Sequence, residues 1–240
     1  PKGELSLFVP HDDFITTLDN YACHSKDDIS FRYLLTLADK LRMKERLFGC
    51  GMSLWSTEPD WLSDDLRDIA VQVRKTHGSE TPLFAISFMA EQTPDPDSRV
   101  ELSDHRSPCG HLPSLDWRLG AADLHSLNRV QQIVQDEFQS AGLGTVYNAT
   151  PFVDDAGNYQ ERLWRGDPYP MAGSHHHMGT TRMHSDPRFG VVDADCRVHS
   201  MENLYVAGSS TFPTGGYVNP TLTIIAMGIR LGQHLAGKSS

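Results

Sequence analysis

Apolar positions in the first eighty residues come in two rhythms. Leu5, Leu7, Phe8 and Val9 are scattered among turn residues and read as strand and loop. Asp27 and Asp28 then precede Ile29, Tyr33, Leu37 and Leu41, which recur every four residues and predict one helix ending near Gly49. A second helix is signalled by Ser63 as N-cap, Asp64 and Asp65 in the first turn, and Leu66, Ile69, Ala70 and Val73 on one face, with Gly78 past its end.

From Leu83 the period falls to two. Leu83–Gln92, Ser98–Ser103 and Leu115–Leu119 read as strands separated by Pro, Asp and Gly turns, with Leu115, Trp117 and Leu119 on one face. Such alternation suits an antiparallel sheet with one face covered. The expected cover is a helix over Asp123–Ala141, with Leu124, Leu127, Val130, Val134 and Phe138 as its stripe and Gly142 as its stop. Gly144 to Pro170 reads mostly as loop, with Trp164 an anchor. Asn203–Ser210 looks like a buried strand at Leu204–Ala207 running into a ligand-facing turn, and Pro220 begins a last helix reaching Leu235. The fold class these elements predict is α+β.

Composition narrows the partners. With 240 residues the chain can bury a sizeable core, and 39% hydrophobic against 22% charged residues marks a globular protein. The formal net charge of −10, with no basic run, argues against nucleic acid. No stretch reaches the ~20 apolar residues of a spanning helix. Cys23, Cys50, Cys109 and Cys196 lie far apart with no C-x-x-C pair, so packed thiols are expected rather than a thiolate zinc site.

The chemistry concentrates near the C-terminus. His175, His176 and His177, with His184 nearby, invite a metal reading and a hydrolase built on His175, His177 and His184. Neighbours in a run point different ways, however, and no Asp or Glu stands at ligand spacing, so no metal is expected. Taking a hydride from an alcohol carbon requires the hydroxyl proton to leave to a base that titrates near working pH, and imidazole (~6.5 unperturbed) fits. A carboxamide can hold the same hydroxyl without titrating. The imidazole cluster offers such a base, and Asn219 such an amide. Asn219 before Pro220 is equally what an ordinary N-cap looks like.

The stretches HHMGTTRM (176–183) and VVDADCRVHSMENLYVAGSSTFPTGGYVNPTLT (191–223) resemble the C-terminal portion of the glucose-methanol-choline family of flavin-dependent oxidoreductases, notably its sugar-oxidising branch, which includes the pyranose oxidases. The resemblance is dense over Ser174–Leu235 and extends more weakly through EQTPDPDSRVELS and LPSLDWRL, which are similar to the family's substrate-domain sheet. It does not cover residues 1–80. It implies that His176, three residues before the glycine of an H-x-x-G-T-x-R-M pattern, and Asn219, before P-T-L-T, are the catalytic pair. FAD is the implied cofactor, with Gly208 and Ser209 facing its ribityl and phosphate portion and Asn219, Pro220 and Thr221 approaching the pyrimidine edge.

That resemblance turns the fold expectation into a partition: a substrate-binding domain over 1–168, and over 169–240 the catalytic loop with a strand and helix completing a Rossmann-like FAD domain. The G-x-G-x-x-G turn such a domain requires is missing, since Gly49–Gly51 lacks a third glycine and Gly142–Gly144 follows a helix. The implied whole is an enzyme oxidising an alcohol or sugar hydroxyl, whose N-terminal half is cut away or carried on a separate chain. Oligomerisation stays open. The competing expectation is a catalytically inactive binding subunit of the same fold.

Overall fold

A computed structural model describes residues 2–10, 24–26, 29–31, 35–56, 64–148 and 176–238. These fall into two compact units, one built from the residues up to Ala90 together with those from Ala121 to 148, the other from Glu91–Gly120 together with 176–238.

The first unit is a sheet with helices. Strands β1 (Lys2–Pro10), β4 (Leu35–Thr36), β5 (Cys50–Ser56), β6 (Phe84–Ala90) and β9 (Gly144–Asn148) form five antiparallel strands in the order β4-β5-β6-β1-β9. Strand β6 sits at the centre, and Ala85, Ile86 and Phe88 are at most 2% exposed, which is why its sequence reads as a nearly continuous apolar run. Helix α3 (Ala121–Ser140) covers this sheet, of whose strands only β6 is among those expected beneath it. Its Val130, Ile133 and Val134 join Leu47, Cys50, Met52, Ile86, Phe88 and Val146 in one core, with Phe138 packed at the margin. Helix α2 (Asp64–His77) turns Ala70 and Val73 inward and stops where Gly78 takes a φ of +114°. Ser63, its expected cap, lies outside the described residues.

Two expectations fail here. The single helix over residues 29–49 is instead β3 (Ile29–Phe31), which pairs with β2 (His24–Lys26), then β4, then a short helix α1 (Asp39–Glu45). Tertiary pairing overrides the four-residue rhythm: Leu35 and Thr36 pair with Met52 and Gly51, and the Thr36 hydroxyl donates to the Cys50 carbonyl at 3.0 Å. Helix α1 ends at Arg46, which turns left-handed (φ 56°), and the Leu47 amide reaches back to the Arg42 carbonyl. Residues 144–148, expected as loop, are β9. Its Val146 is 1% exposed, and Gln135 of α3 bonds both the Val146 carbonyl (3.0 Å) and the Asn148 amide (3.1 Å).

The second unit holds an antiparallel hairpin of β7 (Arg99–Ser107) and β8 (Gly110–Asp116), a sheet of its own. The covered face expected of these strands is not seen among the described residues, where Val100, Leu102 and Leu115 are 48, 75 and 64% exposed. Strand β8 ends at Asp116. Trp117 lies past it and donates its indole N–H to Gln92 at 2.7 Å, while Leu119 is buried. No helix among the described residues is long and apolar enough to cross a membrane.

Candidate functional site

The C-terminal loops of the second unit are organised by backbone hydrogen bonds rather than by a sheet. Leu204–Ala207, expected as a buried strand, makes a single bridge among the described residues, Arg197 with Tyr205. The Val198 amide bonds the Leu204 carbonyl and the Val206 amide the Cys196 carbonyl, both at 2.9 Å, so the segment folds back on Cys196–Val198 and leaves Leu204 46% exposed. The residues after it turn through Gly208, at φ 105° and ψ −177°, into a one-turn 3-10 helix at Ser209–Thr211. That dihedral pair is open only to glycine, and nothing lies within 4 Å of where its Cβ would stand.

Against this turn runs the imidazole motif. The amides of Gly179, Thr181 and Met183 donate to the carbonyls of Ser209 (3.2 Å), Ser210 (2.9 Å) and Thr211 (2.8 Å). Side chains reinforce the pairing: the Ser209 hydroxyl donates to the His177 carbonyl at 2.9 Å and the Thr181 hydroxyl to that of Ser210 at 2.8 Å. Gly179 takes a φ of +81°, and a Cβ at Gly215 would stand 3.3 Å from the Met178 methyl. The motif that carries His176 and the stretch that carries Gly208, Ser209 and Gly215 are therefore one structural piece. His176 itself is half-buried.

The last helix, α4, spans Thr221–Lys238. Its first intrahelical bond is Ile224 N–H to the Pro220 carbonyl at 2.9 Å, so Pro220 takes the capping position and Thr221 the first helical one, a residue later than expected. Asn219 thus stands one residue before the cap. It is exposed, and its amide makes no hydrogen bond to another described residue. The amides of Thr221, Leu222 and Thr223 precede the first helical bond and have no acceptor within the helix.

On its other face α4 is tied to the Asp193–Arg197 loop. Arg230 donates to the Ala194 carbonyl at 2.5 Å, and His234, one turn on, lies 3.8 Å from the Asp195 carboxylate. Burial works to raise the Asp193 carboxyl, but the backbone N–H groups of Arg197 and Asp195 and the Arg197 guanidinium outweigh it, so this carboxyl is lowered and the loop keeps its charge.

His184 is engaged locally: the Asp186 amide lies 2.9 Å from its Nδ1, its ring meets Phe189 edge-on, and His199 Nε2 approaches its carbonyl at 2.9 Å. The Arg188 guanidinium at 2.6 Å holds the Asp186 carboxyl below the usual range. His175 lies outside the described residues, and among the described residues no three His, Cys, Asp or Glu side chains gather as a metal site. One contact had no signal in the sequence: the Glu91 carboxylate accepts the Gly216 amide at 3.2 Å across 125 residues.

Residues 94–228, more than half the chain, match the sequence profile described as GMC oxidoreductase. The chain is 32% identical to paromamine 6'-oxidase of Streptomyces fradiae over 79% of its own length and 30% of that protein's. It is 38% identical to a C-glycoside 3-oxidase of Arthrobacter globiformis over 87% of its length and 47% of the relative's. Fructose dehydrogenase large subunit of Gluconobacter japonicus is 30% identical over 68% and 26%. The chain thus spans between about a quarter and a half of the length of these relatives.

Proposed function

This chain belongs to the GMC oxidoreductase family, and from that membership we propose that it is the substrate-binding and catalytic part of an FAD-dependent enzyme oxidising an alcohol or sugar hydroxyl. The observation that carries the reading is the joining of the His176 motif to the Gly208–Thr211 turn by five hydrogen bonds. It joins the segment that carries the candidate base to the candidate cofactor contact. Relatives that oxidise paromamine, C-glycosides and fructose, as their names state, point to a sugar-like substrate.

The residues present fit a flavin. Gly208 offers a backbone turn with open space where a side chain would stand, and α4 offers the amides of Thr221 to Thr223, which have no acceptor within the helix, to an electron-rich ring edge. The bound FAD would supply the hydride acceptor. His176 would take the hydroxyl proton of the substrate at its imidazole, and the exposed amide of Asn219 would hold the same oxygen so that the C–H bond aims at that acceptor. The α4 amides would favour the negative charge that reduction leaves. Leu222, Ile225 and Ile229, which are 79, 54 and 59% exposed along one side of α4, support a reading in which an N-terminal, ADP-binding part of the enzyme packs there.

The test is flavin reduction in a single turnover of the holoenzyme. His176→Ala should slow it about 10²- to 10⁴-fold while the visible flavin spectrum persists. A variant reducing at nearly the normal rate would remove the base from the scheme, and a holoenzyme with no yellow chromophore would remove the flavin.

A further inference from the structure

Glu91 directly follows the last residue of β6 and belongs to the same compact unit as the C-terminal loops. Its Oε1 accepts the Gly216 N–H at 3.2 Å. Gly216 is left-handed (φ +64°), a turn conformation that favours glycine. Gln92, the chain neighbour of Glu91, is held at both ends of its amide, which donates to the Arg118 carbonyl and accepts the Trp117 indole N–H at 2.7 Å. Arg118 is fixed in turn by the Ser98 hydroxyl at 3.1 Å and the Asp116 carboxylate at 2.7 Å. A Cβ at Gly215 would stand 3.3 Å from the Met178 methyl. The Gly215–Gly216 turn is thus bonded to Glu91 and lies near the residue two after His176. Three residues beyond Gly216 the chain reaches Asn219, which makes no hydrogen bond of its own to another described residue.

We propose that Glu91 is a positioning residue, whose carboxylate sets the Gly216 turn and through it aims Asn219 at the substrate hydroxyl. The inference rests on the catalytic reading of Asn219. An exposed side chain with no bond of its own can hold an oxygen reproducibly only if the backbone that presents it is fixed, and a displacement of about 1 Å at such a group costs on the order of a hundredfold in rate.

The experiment compares Glu91→Met, which keeps the side-chain length and removes the acceptor, with Glu91→Gln, which keeps an acceptor oxygen, both in the holoenzyme and in single-turnover flavin reduction. Glu91→Met should slow reduction roughly ten- to a hundredfold with little change in the flavin spectrum. Glu91→Gln should restore most of the rate. In an Asn219→Ala background Glu91→Met should cost nothing more, because the two act through one contact.

Additive losses in the double variant, an unaffected Glu91→Met, or a Glu91→Met protein that fails to fold would each overturn the positioning role. An Asn219→Ala enzyme reducing at the normal rate would instead sink the catalytic reading of Asn219, and this inference with it. A damaged Asn219→Ala beside a harmless Glu91→Met sinks this inference alone.

Discussion

The Ser209 hydroxyl donates to the His177 carbonyl at 2.9 Å, joining two residues 32 positions apart. It ties the turn after Gly208 to the residue that follows the candidate base. Ser209→Ala should cost about 1 kcal/mol of stability for the lost bond and slow flavin reduction by loosening His176. Ser209→Thr, which keeps the hydroxyl, should hold both. Denaturant titration with single-turnover kinetics checks this, and equal rates in the Ala and Thr variants would detach Ser209 from the chemistry.

Gly190 has no room for a side chain. A Cβ there would stand 2.6 Å from the His184 Cβ, 2.7 Å from the His184 nitrogen and 2.8 Å from the Arg182 carbonyl oxygen. Two of these are backbone atoms, so the loop closed by the Val191 amide on the Arg182 carbonyl must open. Gly190→Ala is expected to destabilise by roughly 1–3 kcal/mol or more, read as a lower denaturation midpoint. An unmoved midpoint would contradict the packing described.

Arg129 of α3 grips the Glu45 carboxylate at the end of α1, at 3.0 Å. The hydrogen bond from Arg129 holds the Glu45 carboxyl below its usual value, against the smaller opposing effect of burial. A depressed folded-state value means the pair contributes above the unfolded value, near 4.5, and its contribution is lost as pH falls through the lower folded value. The midpoint difference between the protein and Glu45→Gln should therefore be largest near neutrality and shrink below pH ~4. A difference that stayed constant with pH would show that the pair contributes through shape alone.

Burial pushes the Cys50 thiol up to about 12, whereas Cys109 is exposed in the loop between β7 and β8. Alkylation at mildly alkaline pH should label Cys109 at once and Cys50 only after denaturant is added. Peptide mapping reads the order, and early labelling of Cys50 would mean that the core opens readily.

Much of this was legible in the sequence where one physical signal dominated. Helices α2 and α3 carry apolar stripes together with glycine stops, and both fold as read. The H-x-x-G-T-x-R-M stretch could be singled out by its resemblance to the family's motif, and the glycine turn by the apolar run that ends on Gly208, Ser209 and Ser210. What failed depended on partners distant in the chain. Ile29, Tyr33, Leu37 and Leu41 repeat at helical spacing, yet β5 recruits Leu35 and Thr36 as an edge strand. Residues 144–148 look like loop until β1 supplies their ladder. Leu204–Ala207 has the composition of a buried strand, but its hydrogen bonds go to the chain just before it. The Glu91 contact with Gly216 leaves no periodic trace at all.

Strand β1 is flanked by β6 on one side and β9 on the other. During synthesis it emerges well before either neighbour, and the second of them does not exist until Asn148 has been made. For all that time the nascent chain displays an unsatisfied strand border, which invites mispairing and calls for chaperone shelter. Closing the sheet this late, across so long a loop, should make it the slow step in reaching the native state.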